Sequence, residues 1–303
     1  MNSNNHLVIM AGGIGSRFWP MSSEEKPKQF LDVLGTGRSL IQMTYDRFKG
    51  ICPDENTWVV TSVNYFDQVH EQLPEIPVEN ILLEPCRRNT APCIAYVSWK
   101  IKKCNPRANI VITPSDHVVK DVKLFSQAVS ECMEFTAETD SIVTLGIRPT
   151  APETGYGYIE ADLSYASSCS QNIFRVDSFK EKPSLDLAKQ YVEKNNYFWN
   201  AGIFIWSVQT IVNAFRVYQP GMAKLFEEMT PQFGTPEEKD KIAEVYDQIE
   251  SISVDYAIME KAEEIFVYQA SFDWSDVGTW GALKNQIEND VHGNAVVGDV
   301  DLY

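Results

Sequence analysis

Short apolar runs separated by helix-length stretches constrain this chain most. Runs at 7–10, 58–61, 81–83, 110–113 and 141–146 alternate with stretches of helical character at 40–48, 64–73, 91–104 and 122–136. Alternation at these lengths predicts βαβ units: an α/β, doubly wound, mixed but mainly parallel sheet with helices on both faces. In such sheets ligands bind beyond the carboxyl ends of the strands. After about residue 150 glycines and aromatics cluster, at 155–158. Further strands are expected at 159–163, 173–179 and 203–206, with helices at 185–194, 208–217 and 236–248. This half is expected to extend the same sheet and add a lid. Residues 1–290 therefore read as one domain, and 291–303 as the start of a C-terminal β segment that stops abruptly.

Composition narrows the function. The formal net charge is −16 over 303 residues, which disfavours nucleic acid and anionic membrane as partners, since both call for a basic face. No apolar stretch approaches the length needed to cross a bilayer, and the polar first residues do not resemble a secretory signal. Six cysteines without a CxxC pair read as reduced thiols of a cytoplasmic protein.

Against that acidic background one stretch stands out, "AGGIGSRFWPMSSEEKPKQF" at 11–30. It follows the first apolar run directly and gathers Arg17, Lys26 and Lys28 around Gly12, Gly13 and Gly15. A Rossmann dinucleotide turn needs a third glycine at GxGxxG spacing, which is missing, and a Walker loop needs GK[ST], which is absent. A plain tight turn would explain the glycines but not the cations. Glycines let backbone N–H groups approach an anion closely, and successive N–H groups form an anion nest. A phosphate-bearing ligand fits best.

Further motifs follow in order: "EPCRRNTAP" (84–92), "VITPSDH" (111–117), "PETGYGYIE" (152–160), "FKEKP" (179–183), "WNAGIFIW" (199–206), "SVDYAIMEKA" (253–262) and "DWSDVGTW" (273–280). With the glycine stretch, this set resembles the sugar-1-phosphate nucleotidyltransferases, and most of all the mannose-1-phosphate guanylyltransferases (GDP-mannose pyrophosphorylases). The resemblance implies a Rossmann-like, GT-A-like nucleotidyltransferase fold. It implies transfer of GMP from GTP to α-D-mannose 1-phosphate with release of pyrophosphate, assisted by Mg2+. It also implies cytoplasmic GDP-mannose biosynthesis, with a homodimer as the candidate assembly.

In that reaction the sugar phosphate oxygen is itself the nucleophile, so positioning and charge neutralisation carry the catalysis. The resemblance assigns Arg17 and Lys28 to the β- and γ-phosphates, with Lys26 more simply a solvated lysine. It assigns Asp116 and Asp276 to the metal, with Asp273 as a local competitor of Asp276, and either aspartate could instead be an ordinary turn or cap residue. Gly157, Glu181, Lys182 and Asn200 are expected to hold the sugar phosphate, Asn200 offering both a donor and an acceptor. Guanine presents two adjacent donors on its pairing edge, which suits a carboxylate, and relatives that use thymine or uracil tend to have glutamine at the position of Glu84. Glu84 is therefore expected to read guanine, with Asn89 and Thr90 shaping the base loop. The bland reading is a local ion pair of Glu84 with Arg87 or Arg88. Arg87 stands where many relatives have glycine, a departure that bears on the shape of this loop. "SVDYAIMEKA" reads as a structural amphipathic helix, and the aromatics near the motifs, Tyr156 and Trp199 among them, as core. The competing functions are transfer to another sugar 1-phosphate, such as glucose 1-phosphate, use of another base, or a catalytically silent binding homologue.

Overall fold

The computed structural model describes residues 2–167, 170–290 and 292–297. Strands β1 (Asn5–Met10), β2 (Thr57–Ser62), β3 (Ile81–Glu84) and β4 (Asn109–Pro114) form a parallel block in the order β3-β2-β1-β4. Their residues alternate strictly. Val8, Trp58, Val60, Ile110 and Ile112 face one core, while Leu7, Ile9, Val59 and Val111 face another. Both faces are apolar, so both must be covered by helices, and this requires the doubly wound arrangement. Each large apolar side chain so buried contributes about 1.5–3 kcal/mol.

Helices α1 (Leu40–Arg47), α2 (Phe66–Gln72) and α4 (Val122–Glu138) cover one face, and α3 (Thr90–Cys104) covers the other. Local chemistry fixes their starts. Ser39 and Gln42 form a capping box on α1, and the Asp121 side chain accepts from the Leu124 amide at the start of α4.

The second half changes the pairing. The sheet continues through β9 (Tyr197–Ser207), β6 (Ile142–Ile147), β10 (Ile265–Gln269), β8 (Ile173–Lys180) and β7 (Tyr158–Ala166). Only the β6–β10 pair is parallel there; β9 runs antiparallel to both β4 and β6. The sheet is thus mixed, parallel in its first half and mostly antiparallel in its second. β9 is longer than the expected 203–206, because left-handed Gly202 (φ 68°) lets the strand bend and continue. Helix α5 (Leu185–Glu193) lies outside β7–β9 on the α4 face, while α6 (Val208–Tyr218), α7 (Pro220–Met229) and α8 (Glu238–Gln248) pack with α3. The sequence pattern had hidden α7, since its opening Pro220-Gly221 reads as a breaker; proline at the first helical position is instead a start signal. "SVDYAIMEKA" is not a regular amphipathic helix. Its Asp255–Met259 turn is π-helical.

The five described cysteines are unpaired thiols. Of the expected C-terminal β segment, Ala295 forms one antiparallel bridge with Asn289; Val291 and residues 298–303 lie outside the described residues. No helix among the described residues is long and apolar enough to cross a membrane.

Candidate active site

The chain leaves β1 through Ala11 and turns across the carboxyl end of the parallel block. The loop carbonyls are drawn inward. The Gln29 amide donates to the carbonyls of Ala11 (3.1 Å) and Gly13 (2.8 Å), and the Ser22 hydroxyl donates to that of Gly15 (2.6 Å). Among the described residues, none of the amide N–H groups of Gly12 to Gly15 has a protein acceptor. Carbonyls engaged and N–H groups free is the polarity of an anion cradle. Gly15 is left-handed (φ 66°), and a Cβ there would collide with the Cβ of Lys28. The loop and the lysine are therefore packed against one another. Arg17, in a one-turn 3-10 helix after Gly15, is exposed and has no ion-pair partner among the described residues.

Lys28 is 2% exposed. Its ammonium donates to Asp116 Oδ2 (3.1 Å) and to the Asp276 carbonyl (2.7 Å), and lies over the Phe18 ring. Two short strands join these distant residues. β5 (Val118–Val119) pairs antiparallel with β11 (Trp274–Ser275), bringing the chain just after Asp116 beside the chain just before Asp276. The Asp276 carboxylate accepts from the Tyr156 hydroxyl (2.7 Å) and the Gly278 amide (2.9 Å). Val277, a β-branched residue, is held left-handed at φ 45°, a strained conformation that the surrounding contacts must impose. Burial alone would raise the Asp116 carboxyl, but the Lys28 ammonium, by its charge and its hydrogen bond, outweighs it and holds the group below its ordinary value. Burial keeps the His117 imidazole neutral, and Nδ1 accepts from the Trp274 indole N–H (3.3 Å). Asp273 is exposed and outside this cluster, as is Lys26.

Two cavities flank the cluster and share Met10, Thr90 and Pro114 as walls. The first, of about 310 Å³, is bounded by Gly12, Gly13, Glu84, Arg87, Arg88, Asn89 and Thr90. Glu84 ends β3 and is 8% exposed; its Oε1 accepts from the Tyr246 hydroxyl of α8 (2.8 Å). Its Oε2 lies 3.3 Å from where a Cβ on Gly12 would stand. Burial pushes the Glu84 carboxyl up to about 7 against the opposing pull of Tyr246 and Arg87. Neither arginine forms the local ion pair: Arg87 donates to the Tyr65 hydroxyl (3.1 Å) and Arg88 to the Tyr246 carbonyl (3.0 Å). Asn89 adopts φ 67° and caps α3 by accepting from the Thr90 amide.

The second cavity, of about 190 Å³, is lined by Tyr156, Gly157, Glu181, Asn200, Asp255 and Asp276 among others. A Cβ on Gly157 would stand 2.6 Å from Glu181 Oε2, so the carboxylate needs this glycine. Glu181 pairs with Lys182 (2.9 Å), which is itself left-handed at φ 48°. The structure thus gathers Gly157, Glu181 and Asn200 on one cavity, with Lys182 at its rim, and Gly12, Gly13, Glu84, Asn89 and Thr90 on the other. Lys28, Asp116 and Asp276 stand beside the glycine loop. Sequence reasoning gave no role to Tyr156, Asp255 or Tyr246. Asp255 sat in a quoted motif whose helical look concealed it, and nothing in the sequence marks Tyr246.

A family model described as nucleotidyl transferase matches residues 6–292. The chain is 35% identical over 298 residues to "Mannose-1-phosphate guanylyltransferase" of Escherichia coli, an alignment covering 97% of this chain and 64% of that protein. It is 37% identical over 301 residues to "Xanthan biosynthesis protein XanB" of Xanthomonas campestris, covering 97% and 62%. The chain therefore spans a little under two thirds of these relatives. A crystal structure named "mannose-1-phosphate geranyltransferase", from Thermus thermophilus, superposes with a TM-score of 0.84 at 33% identity, covering 95% of this chain and 81% of that one. A UDP-glucose pyrophosphorylase complexed with UDP-glucose shares the fold at 14% identity, with a TM-score of 0.56 and coverage of 93% and 96%. With a family match running almost end to end and a glycine cradle at the carboxyl edge of the sheet, the chain belongs to the nucleotidyl transferase family.

Proposed function

We propose that this chain transfers GMP from GTP to α-D-mannose 1-phosphate, releasing pyrophosphate and forming GDP-mannose, in the cytoplasm and within a catalytic unit spanning 1–290. The observation that carries the reading is the divided cleft. A compartment ending in a buried carboxylate adjoins one rich in hydroxyl-binding groups; Gly12 and Gly13 line the first, and Asp276, whose carbonyl accepts from Lys28, lines the second. The relatives named as mannose-1-phosphate guanylyltransferases support the same substrates.

Guanine enters the first compartment, where Glu84 accepts from its N1–H and N2 amine and Asn89 and Thr90 form the adjoining wall. The triphosphate lies on the N–H groups of Gly12, Gly13 and Gly15, and Arg17 and Lys28 neutralise its outer phosphates. Mannose 1-phosphate enters the second compartment, its hydroxyls meeting Glu181 and the backbone at Gly157 beside Asn200, its phosphate meeting Lys182. The phosphate oxygen attacks the α-phosphorus in line, the bond to the β-phosphate oxygen breaks, and pyrophosphate leaves. No residue need become covalently linked to substrate, so orientation and cationic neutralisation supply the rate.

The donor set fits magnesium. Among the described residues no cluster of three or more His, Cys, Asp or Glu side chains forms a metal cage. The Asp116 carboxylate accepts from the Lys28 ammonium, which also donates to the backbone carbonyl of Asp276, so the two aspartates lie on either side of one lysine. Magnesium takes one or two carboxylates and completes its shell with phosphate oxygens and water. Asp116 and Asp276 would hold Mg2+, which supplies charge neutralisation at the phosphates.

The test is pyrophosphate release from GTP with mannose 1-phosphate, with and without Mg2+, beside UTP and dTTP and beside glucose 1-phosphate. Turnover is expected with the first pair above all others and only with the metal. Faster turnover with another base or sugar would overturn the assignment.

A further inference from the structure

Asn200 is not free to serve as the sequence implies. Its Oδ1 accepts from the Thr144 hydroxyl (2.8 Å) and from the Gly202 amide (3.1 Å). A backbone N–H can only donate, so this fixes which end of the carboxamide is oxygen. Nδ2 then points at Asp255 and donates to its Oδ1 (3.1 Å). With its acceptor doubly occupied, Asn200 acts chiefly as a bracket that aims a second carboxylate into the cavity.

Asp255 is held from its own side as well. It opens the π-helical turn Asp255–Met259, whose Ala257, Ile258 and Met259 are buried. Single π-turns are uncommon and gather at functional sites. The preceding residues are sewn to the base loop: the Ala91 amide donates to the Ile252 carbonyl (3.1 Å) and the Val254 amide to Thr90 Oγ1 (2.9 Å). The outcome is a cavity wall where Glu181 and Asp255 add two carboxylates to that of Asp276, Glu181 being paired with Lys182, whose side chain is 58% exposed. Burial and the Glu181 charge push the Asp255 carboxyl up to about 6. Two buried acids in want of donors match a polyol, which brings several O–H donors and no charge of its own.

We propose that Asp255 accepts a hydrogen bond directly from a ring hydroxyl of the sugar phosphate and helps select the hexose, with Asn200 and Thr144 as its positioning residues. This rests on the reading of the second cavity as the sugar compartment.

The experiment uses Asp255→Asn in the full chain, with steady-state kinetics on GTP and on mannose 1-phosphate and its 2-, 3-, 4- and 6-deoxy analogues. The KM for mannose 1-phosphate should rise by at least tenfold while the KM for GTP stays within about twofold. The penalty should disappear for one deoxy analogue, because the lost hydroxyl and the lost carboxylate are the same interaction. As a readout without turnover, the gain in affinity of GDP-mannose over GDP should shrink while GDP binding is unchanged. Thr144→Val, remote from the ligand, should show the same pattern more weakly, and it serves if Asp255→Asn fails to fold. Equal penalties for all analogues, or a shift confined to GTP, would overturn the role of Asp255. If the unaltered protein does not use mannose 1-phosphate at all, the proposed function fails first and separately.

Discussion

Replacing Glu84 by glutamine should move stability and function in opposite directions. The carboxyl is 8% exposed and its folded value is lifted from 4.5 to about 7, a difference worth about 3 kcal/mol. For an acid raised on folding, this contribution to stability is fully present below about 4.5 and is lost as pH rises through about 7. The ligand-free protein therefore carries a buried charge at pH 8, only partly compensated by the Tyr246 hydroxyl. Glutamine has nearly the same shape and no charge. Ligand-free Glu84→Gln should be more stable than the unaltered protein by up to ~3 kcal/mol at pH 8, and about equal at pH 4.5. Function should go the other way. A carboxylate facing two guanine donors makes charge-assisted bonds worth ~2–3 kcal/mol together, so the GTP-over-UTP ratio in kcat/KM should fall by roughly 30- to 150-fold. Urea unfolding at the two pH values and paired nucleotide kinetics read the two effects separately. If Glu84→Gln destabilises the protein at pH 8, the carboxylate is a structural partner of Tyr246 and not a binding group kept charged at a cost. Unchanged nucleotide preference would remove Glu84 from base recognition.

Other perturbations test the remaining parts of the site. Lys28→Ala should lower kcat by about 100-fold or more, the scale of losing a preorganised charge at the transition state; near-normal turnover would take Lys28 out of the mechanism. Asp276→Asn should abolish Mg2+-dependent turnover, whereas Asp273→Asn, exposed and outside the cluster, should leave kcat within about twofold, and a reversal of the two would move the metal site. Gly15→Ala imposes a left-handed alanine, costing ~1–2 kcal/mol before its collision with Lys28. It should lower Tm by ~2 °C or more and weaken GTP binding, as a thermal melt with and without nucleotide would report.

The sheet was legible because its first four strands are apolar on both faces, a pattern that leaves little choice but helices above and below. The site residues were legible in kind from motif chemistry, but their mutual placement was not. Asp116 and Asp276 meet through β5 and β11, two strands of two residues each, too short to carry any periodicity. Tyr246 reaches Glu84 from a helix on the far side of the sequence, with no local pattern to announce it. The family resemblance assigns Lys28 to the phosphates, yet in the structure its ammonium is held by Asp116 and the Asp276 carbonyl, partners far from it in the chain that no local pattern announces.

One regularity links these gaps. Among the described residues, the non-glycine residues with positive φ are Asn89, Lys182 and Val277. They fall in the loop before α3, beside Glu181 of the second cavity and directly after Asp276. Each costs of order 1 kcal/mol or more against ordinary backbone, and a fold selected for stability alone would have glycine there or another path. Propensity rules fail at these positions because they describe a chain relaxing locally, while here long-range contacts hold the chain against its preference: Val254 on Thr90, Glu260 on the Glu181 amide beside Lys182, and Lys28 with Tyr156 around Asp276. Strain that recurs at three loops of the proposed site, and at no other described non-glycine residue, is an argument for that site independent of motif likeness.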